Sequence, residues 1–259
     1  MATRARRHGR LTDDTPNADP GCDGPYLHLM IKLLPFLLIA LGAYVMVQLS
    51  AWRLGHALKG RSRPLRHDTL EQLFERLAGA AGIDHVAVRV LDDPSINGVA
   101  TPDGGVYVTA GLLKHLREGS VSAPEVASVV AHELGHLALG HTKRRMIEVS
   151  AAQTGTLVLG TLIARFIPFV GWYLAQALVS LFVSRLSRRD EFEADAYATA
   201  LMLRAGLGHE PQARMLEKLQ SLVPGAAMAN QAPWLASHPP VPDRAAAIRD
   251  NASRWSDDG

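Results

Sequence analysis

A chain of 259 residues is long enough for one large or two small domains with a real core. The formal charge of +2 is nearly balanced, and the basic residues lie in clusters beside apolar stretches, which excludes nucleic acid as a favoured partner. Cys22 is the only cysteine, excluding an intramolecular disulfide and a cysteine-rich metal site, while 47% hydrophobic against 20% charged residues points to a membrane protein.

Residues 1–26 carry Arg4, Arg6, Arg7 and Arg10, then Asp13, Asp14 and Asp19, with no apolar period, and read as a disordered tail. Residues 27–53 contain the uncharged run Leu33–Val47 and approach the ~20 residues that cross a bilayer as a helix, so they are expected to form a transmembrane anchor. A cleaved signal peptide is the rival, and the long polar leader argues against it. Arg53, Lys59, Arg61, Arg63 and Arg66 follow, in a stretch read over 54–67 as a basic linker. Their excess over Lys32 on the other side places the rest of the chain on the cytoplasmic face of the inner membrane, with the extracytoplasmic face as the alternative.

The rest of the chain, 68–259, is expected to form one domain. Asp68 with Glu71 predicts a helix start, and Leu70, Leu73, Phe74 and Leu77 give it one apolar face before Gly82 ends it. Val86, Val88 and Val90 alternate as a strand. Ile96–Ala100 and Val106–Thr109, around a Pro102-Asp103-Gly104 turn, predict a hairpin that either scaffolds the site or offers an edge to an extended peptide. A short helix over 111–118 follows. The fold class expected is mainly α with a small antiparallel sheet.

The most informative stretch runs from Ser122 to about Arg145 and contains His132-Glu133-Leu134-Gly135-His136. Ser122 and Glu125 form a capping box with Pro124 in the first turn. Two histidines four apart on a helix share one face, so their neutral rings can grip one zinc ion while Glu133 stands beside it as a general base. Leu139 and Thr142 occupy positions where a metzincin needs Gly and His, which removes that class. His141, on a continuous helix, would point away from the His132/His136 face and reads as a surface or supporting histidine.

A second apolar block over 151–184 is interrupted by Arg165, Pro168 and Gly171 and bounded by basic residues at both ends. It reads as a helical hairpin that crosses and returns, dips into the membrane, or is buried in a soluble core. Beyond it, Glu191 and Asp195 share a helical face, so Glu191 can be the third zinc ligand while Asp195 fixes the tautomer of a ligand histidine. Glu193 is the lesser alternative. If Glu191 joins the two histidines, the chain between them crosses the membrane an even number of times. Leu201–Leu222 supplies amphipathic helices, and Asp243 to about Asn251 a last helix.

Four stretches in order, Asn97-Gly98 with Gly104–Val108, then His132–His136, Ser187–Asp195, and Ser237-His238-Pro239-Pro240 with Arg244, resemble the membrane gluzincin zinc peptidases, HtpX-like and CAAX-prenyl-endopeptidase-like. The resemblance covers about Asp68 to Asp250. It implies a mostly helical zinc endopeptidase with Glu133 as base and Glu191 as third ligand, cleaving membrane-associated or misfolded polypeptides in protein quality control. It also makes His238 a candidate to approach the metal or the oxyanion, with Arg244 orienting its loop. One clear span plus a short hairpin resembles the smaller quality-control relatives, and Gly98 stands where the family commonly carries Ala. The alternative is a zinc-fold membrane scaffold or holdase with little proteolysis, against which the intact Glu133 argues.

Overall fold

A computed structural model of the chain describes residues 25–168, 170–222 and 241–257. Most of the expected tail over 1–26 therefore lies outside the described residues, as does His238. The chain divides into two compact units, Met1–Met46 and Val47–Gly259.

Helix α1 spans Pro25–Gly60 and contains the whole uncharged run. At 1.5 Å per residue it is about 54 Å long, more than a hydrocarbon core requires. Leu37, Leu41, Tyr44 and Met46 are exposed along it. The helix outruns the expected end at residue 53. Of the stretch expected as linker, Leu54–Gly60 completes α1 and Ser62–Pro64 forms strand β1.

Helix α2 (Asp68–Ala81) begins one residue earlier in function than the acidic pair suggested. His67 is its cap: its Nδ1 accepts from the Leu70 N–H, while Glu71 reaches back to the His67 N–H. Leu70, Phe74 and Leu77 are buried, as their 3–4 spacing requires.

Strands β2 (Val88–Leu91), β3 (Gly98–Ala100) and β4 (Val106–Thr109) join β1 in one sheet of order β1-β2-β4-β3. The β3–β4 hairpin forms with Gly98 opposite Val108 and Ala100 opposite Val106. The sheet as a whole is mixed, which corrects the expectation of an antiparallel one: β2 and β4 run parallel, Val88 opposite Val106. The physical reason is burial. Val106, Tyr107, Val108 and Thr109 are all buried, so β4 needs cover on both faces and takes an inner place, next to β2, leaving the half-buried β3 at the edge.

Helix α3 (Ala110–Arg117) is capped by Thr109. Helix α4 (Ala123–Ala138) starts as expected, with the Glu125 carboxylate accepting the Ser122 N–H at 2.7 Å. It does not continue to Arg145. Gly140 turns into the left-handed region at φ 70°, and a new helix, α5 (His141–Ala164), begins there. After a turn, α6 runs from Gly171 to Arg204 without a break, so the returning arm of the apolar hairpin and the Glu191–Asp195 stretch share one rod. Helices α7 (Glu210–Leu222) and α8 (Val241–Asp257) complete the unit.

The core lies where α2, the sheet, α4, the C-terminal half of α6, α7 and α8 meet. Val126, Val130, Ala131, Ala198, Met202 and Ile248 are wholly enclosed there. The α5–α6 hairpin is different. Leu157, Leu162, Phe166, Trp172, Tyr173, Leu178 and Leu181 are exposed, so these side chains stand outside this chain's own core. By length and composition α5 is apolar enough to cross a membrane.

Candidate metal centre

Two helices build the site. α4 presents His132 and His136 one turn apart, and α6 brings Glu191 across from them. The close crossing depends on Gly135: a Cβ there would stand 2.9 Å from the Ala194 carbonyl oxygen and 3.1 Å from its Cα. Any larger residue between the two histidines would push the backbone of α6, and Glu191 with it, away.

His132 Nε2 and His136 Nε2 are 3.1 Å apart. Glu191 Oε2 lies 3.4 Å from His132 Nε2, and Glu191 Oε1 lies 3.5 Å from His136 Nε2. Donors at zinc's usual bond length of ~2.0–2.1 Å in a tetrahedron are separated by about 3.3 Å, close to the spacing of the two ring nitrogens from each other and of each ring nitrogen from one Glu191 oxygen, Oε2 beside His132 and Oε1 beside His136. The donor set of two imidazoles and a carboxylate suits the same ion.

The supports of these groups are buried and charged. His132 Nδ1 is 2.9 Å from Asp195 Oδ1. Arg244, 1% exposed on α8, donates Nε and Nη2 to the two oxygens of Asp195 at 2.6 and 2.8 Å, and its Nη1 lies 3.4 Å from Glu191 Oε2. Gln212 of α7 donates to the Asp195 carbonyl at 3.1 Å, and the Thr199 hydroxyl approaches the same oxygen at 2.8 Å. Burial drives the His132 ring toward its neutral form, yet Asp195 and Glu191 outweigh it and raise its pKa to about 10, so the pocket favours positive charge at this position.

Glu133 lines the same pocket as His132 and stands against the sheet edge at Gly98. Burial pushes its carboxyl up to about 7, opposed by His132, helped by Glu191, and opposed again by the Ala100 N–H that donates to it. That N–H is available because of the hairpin's alternation. Asn97 O accepts from Thr109 N at 3.1 Å and Thr101 N donates to Gly105 O at 2.9 Å, so the backbone of Gly98 and Ala100 faces away from β4, toward α4. Ile96, Val129, Met215, Leu216 and Leu219 wall a pocket beside Glu133.

The structure thus brings together His132, His136, Glu191, Asp195 and Arg244, with Glu133 alongside. Glu193 faces elsewhere, toward His141. His141, expected as a surface or supporting histidine pointing away from the pair, instead turns toward His136. The break at Gly140 returns its ring to within 3.1 Å of His136 Nδ1, where a continuous helix would have carried it away. The glycine before it was the available signal.

Residues 64–252 match the family model described as Peptidase family M48. Among curated proteins, the metalloprotease LoiP of Escherichia coli (strain K12) is 33% identical over 166 residues, 61% of this chain and 59% of LoiP. The protease HtpX homolog of Bordetella petrii is 29% identical over 217 residues, 71% of each chain. The protease HtpX of Pseudomonas aeruginosa (strain LESB58) is 28% identical over 250 residues, 82% of this chain and 83% of that protein. A family match reaching over more than half the length agrees with the HExxH helix and the carboxylate that meets it: the chain belongs to peptidase family M48 and is a metallopeptidase.

Proposed function

We propose that this chain is a membrane-anchored zinc endopeptidase that cleaves membrane-associated or misfolded polypeptides, with His132, His136 and Glu191 as metal ligands and Glu133 as catalytic base. The observation that carries the reading is the convergence of three donor groups: the His132 and His136 Nε2 atoms 3.1 Å apart, with the two Glu191 oxygens facing them, Oε2 at 3.4 Å from His132 and Oε1 at 3.5 Å from His136. Zinc held there supplies Lewis acidity toward water and the scissile carbonyl. Glu133, with a carboxyl poised at about 7, takes the proton of the attacking water and passes it to the departing amine. Asp195 holds the hydrogen of His132 on Nδ1, so that Nε2 turns its lone pair inward. Arg244 fixes Asp195 and offsets the charge of Glu191.

The outward edge of β3 lies beside Glu133 and suits an extended peptide added as a further strand, the apolar pocket accepting one of its side chains. His238 belongs to this proposal only through the family resemblance, as a group that approaches the metal or the oxyanion. The exposed apolar surface of α5 and α6 and the uncharged run in α1 support placement in a bilayer, and the excess of Arg53, Lys59, Arg61, Arg63 and Arg66 over Lys32 favours the cytoplasmic face of the inner membrane for the catalytic part. The test is digestion of a reduced, unfolded protein by the purified full chain in detergent, with products read by mass spectrometry. Internal cleavages that stop on chelation and return with zinc support the reading; binding of the protein without any cleavage products contradicts it.

A further inference from the structure

A polar path leads from His136 to the surface that the mechanism above leaves unused. His136 Nδ1 lies 3.1 Å from His141 Nδ1, and His141 Nε2 lies 3.2 Å from Glu193 Oε2. Glu193 Oε1 in turn accepts from Arg189 Nε at 2.7 Å. His141 is 2% exposed, and its ring meets that of His136 at 68° with centroids 5.2 Å apart.

The direction of these bonds follows from the end that has no choice. A carboxylate only accepts, so His141 carries its hydrogen on Nε2, facing Glu193. Its Nδ1 is then a bare acceptor. Two ring nitrogens at 3.1 Å bond only when one holds a hydrogen, so the hydrogen of His136 sits on Nδ1 and its Nε2 turns a lone pair into the site. Asp195 does the same for His132 directly.

We propose that His141, held by Glu193, is a positioning residue that fixes the tautomer and ring orientation of His136 for metal binding. This rests on the reading of His132, His136 and Glu191 as zinc ligands. A rival use of the cluster would be a second cation site, since donor atoms of His141, Asp190 and Glu193 lie within 4.8 Å of one another. Guanidinium groups already hold both carboxylates, however: Arg144 bonds to Asp190 and Arg189 to Glu193. The cluster is neutralised without an ion, and the relay is the better reading.

Two amides separate the roles of the two ring nitrogens. The Asn side-chain oxygen can stand where His141 Nδ1 stands and accept from His136; the Gln amide reaches the place of Nε2 and leaves His136 without its acceptor. Zinc affinity is measured on the full chain in detergent by competition with a chromophoric chelator, alongside zinc per chain and the melting temperature of the stripped protein. The expected result is one zinc per wild-type chain, a loss of roughly 10- to 100-fold in affinity for His141→Gln, and His141→Asn within about threefold of wild type. Melting of the stripped proteins should change little. Glu193→Ala, at a half-exposed position that does not endanger the fold, should weaken zinc binding several-fold. Equal losses in the Asn and Gln variants, unchanged affinity in His141→Gln or in Glu193→Ala, or two zinc ions per wild-type chain falling to one in His141→Gln would each overturn the proposal. Failure of the underlying site reads out separately, as a wild-type chain without zinc or a His136→Ala chain that binds zinc as tightly as wild type.

Discussion

Arg244 closes on Asp195 with two parallel bonds of 2.6 and 2.8 Å, fully enclosed between α6 and α8. Through Asp195 this pair reaches His132, and through Nη1 it reaches Glu191, so the last helix of the chain sets the electrostatics of a site built by α4 and α6.

Removing the cation from that arrangement leaves two carboxylates buried against each other. Arg244→Leu is expected to cost about 3–5 kcal/mol in denaturant unfolding of the zinc-stripped protein. Arg244→Lys should recover little, since a point charge cannot reproduce the two-pronged bond. The double variant Arg244→Leu with Asp195→Asn should fall well short of the summed losses, because the two residues act as a unit.

Gly135 tests the crossing itself. Gly135→Ala places a methyl 2.9 Å from the Ala194 carbonyl, against backbone that has no flexible end to yield. A loss of about 1–3 kcal/mol in stability is expected, together with weakened zinc binding, because α6 carries Glu191 outward as it shifts. Full zinc affinity in a stably folded Gly135→Ala chain would show that the approach of the helices does not govern the site.

Glu133→Gln should reduce peptide hydrolysis by at least 100-fold while one zinc per chain is retained. It should also stabilise the stripped protein. Burial pushes the carboxyl of Glu133 up to about 7 in the fold against an ordinary 4.5, so folding above pH 4.5 must either take up a proton or, above about pH 7, bury the ionised form. A neutral amide removes that penalty, on the order of 3 kcal/mol, visible as a higher melting temperature at pH 8 and little difference near pH 4.

The acid limit of stability has a different origin. Burial would raise the Glu125 carboxyl, but Lys218 and the Ser122 N–H outweigh it and hold it below its ordinary value. Burial would likewise raise Asp195, and Arg244 and His132 outweigh it. A folded pKa below the unfolded one gives stability that is present above the unfolded value and lost as pH falls through the folded one. Melting temperature should therefore drop as pH falls below about 4.5, and Glu125→Gln, less stable by about 1–2 kcal/mol at neutral pH, should show a shallower drop.

The parts of this molecule legible in its sequence are those governed by local rules. The capping box at Ser122, the alternation in the hairpin and the four-residue spacings of His132 with His136 and Glu191 with Asp195 all depend on helix and strand periods, and the fold obeys them. Strand order was not legible, because the inner place of β4 follows from burial on both faces, which only packing decides. The direction of His141 is not legible for a related reason: a helical register carried through Gly140 fails because the backbone there turns into the left-handed region and restarts the helix. The continuity of α6 through the acidic stretch likewise comes from the length of the rod, which apolar-block boundaries do not reveal.

The proposed site holds one zinc ion among His132, His136 and Glu191. Zinc-edge X-ray absorption on purified Glu133→Gln protein tests it most directly, in parallel with the same protein carrying Glu191→Gln or Glu193→Gln in addition. The expected spectrum shows a shell of nitrogen and oxygen at about 2.0–2.1 Å containing two imidazoles, at one zinc per chain, abolished or sharply weakened by Glu191→Gln and kept by Glu193→Gln. Zinc retained unchanged in the Glu191→Gln chain, or lost only in Glu193→Gln, would contradict it.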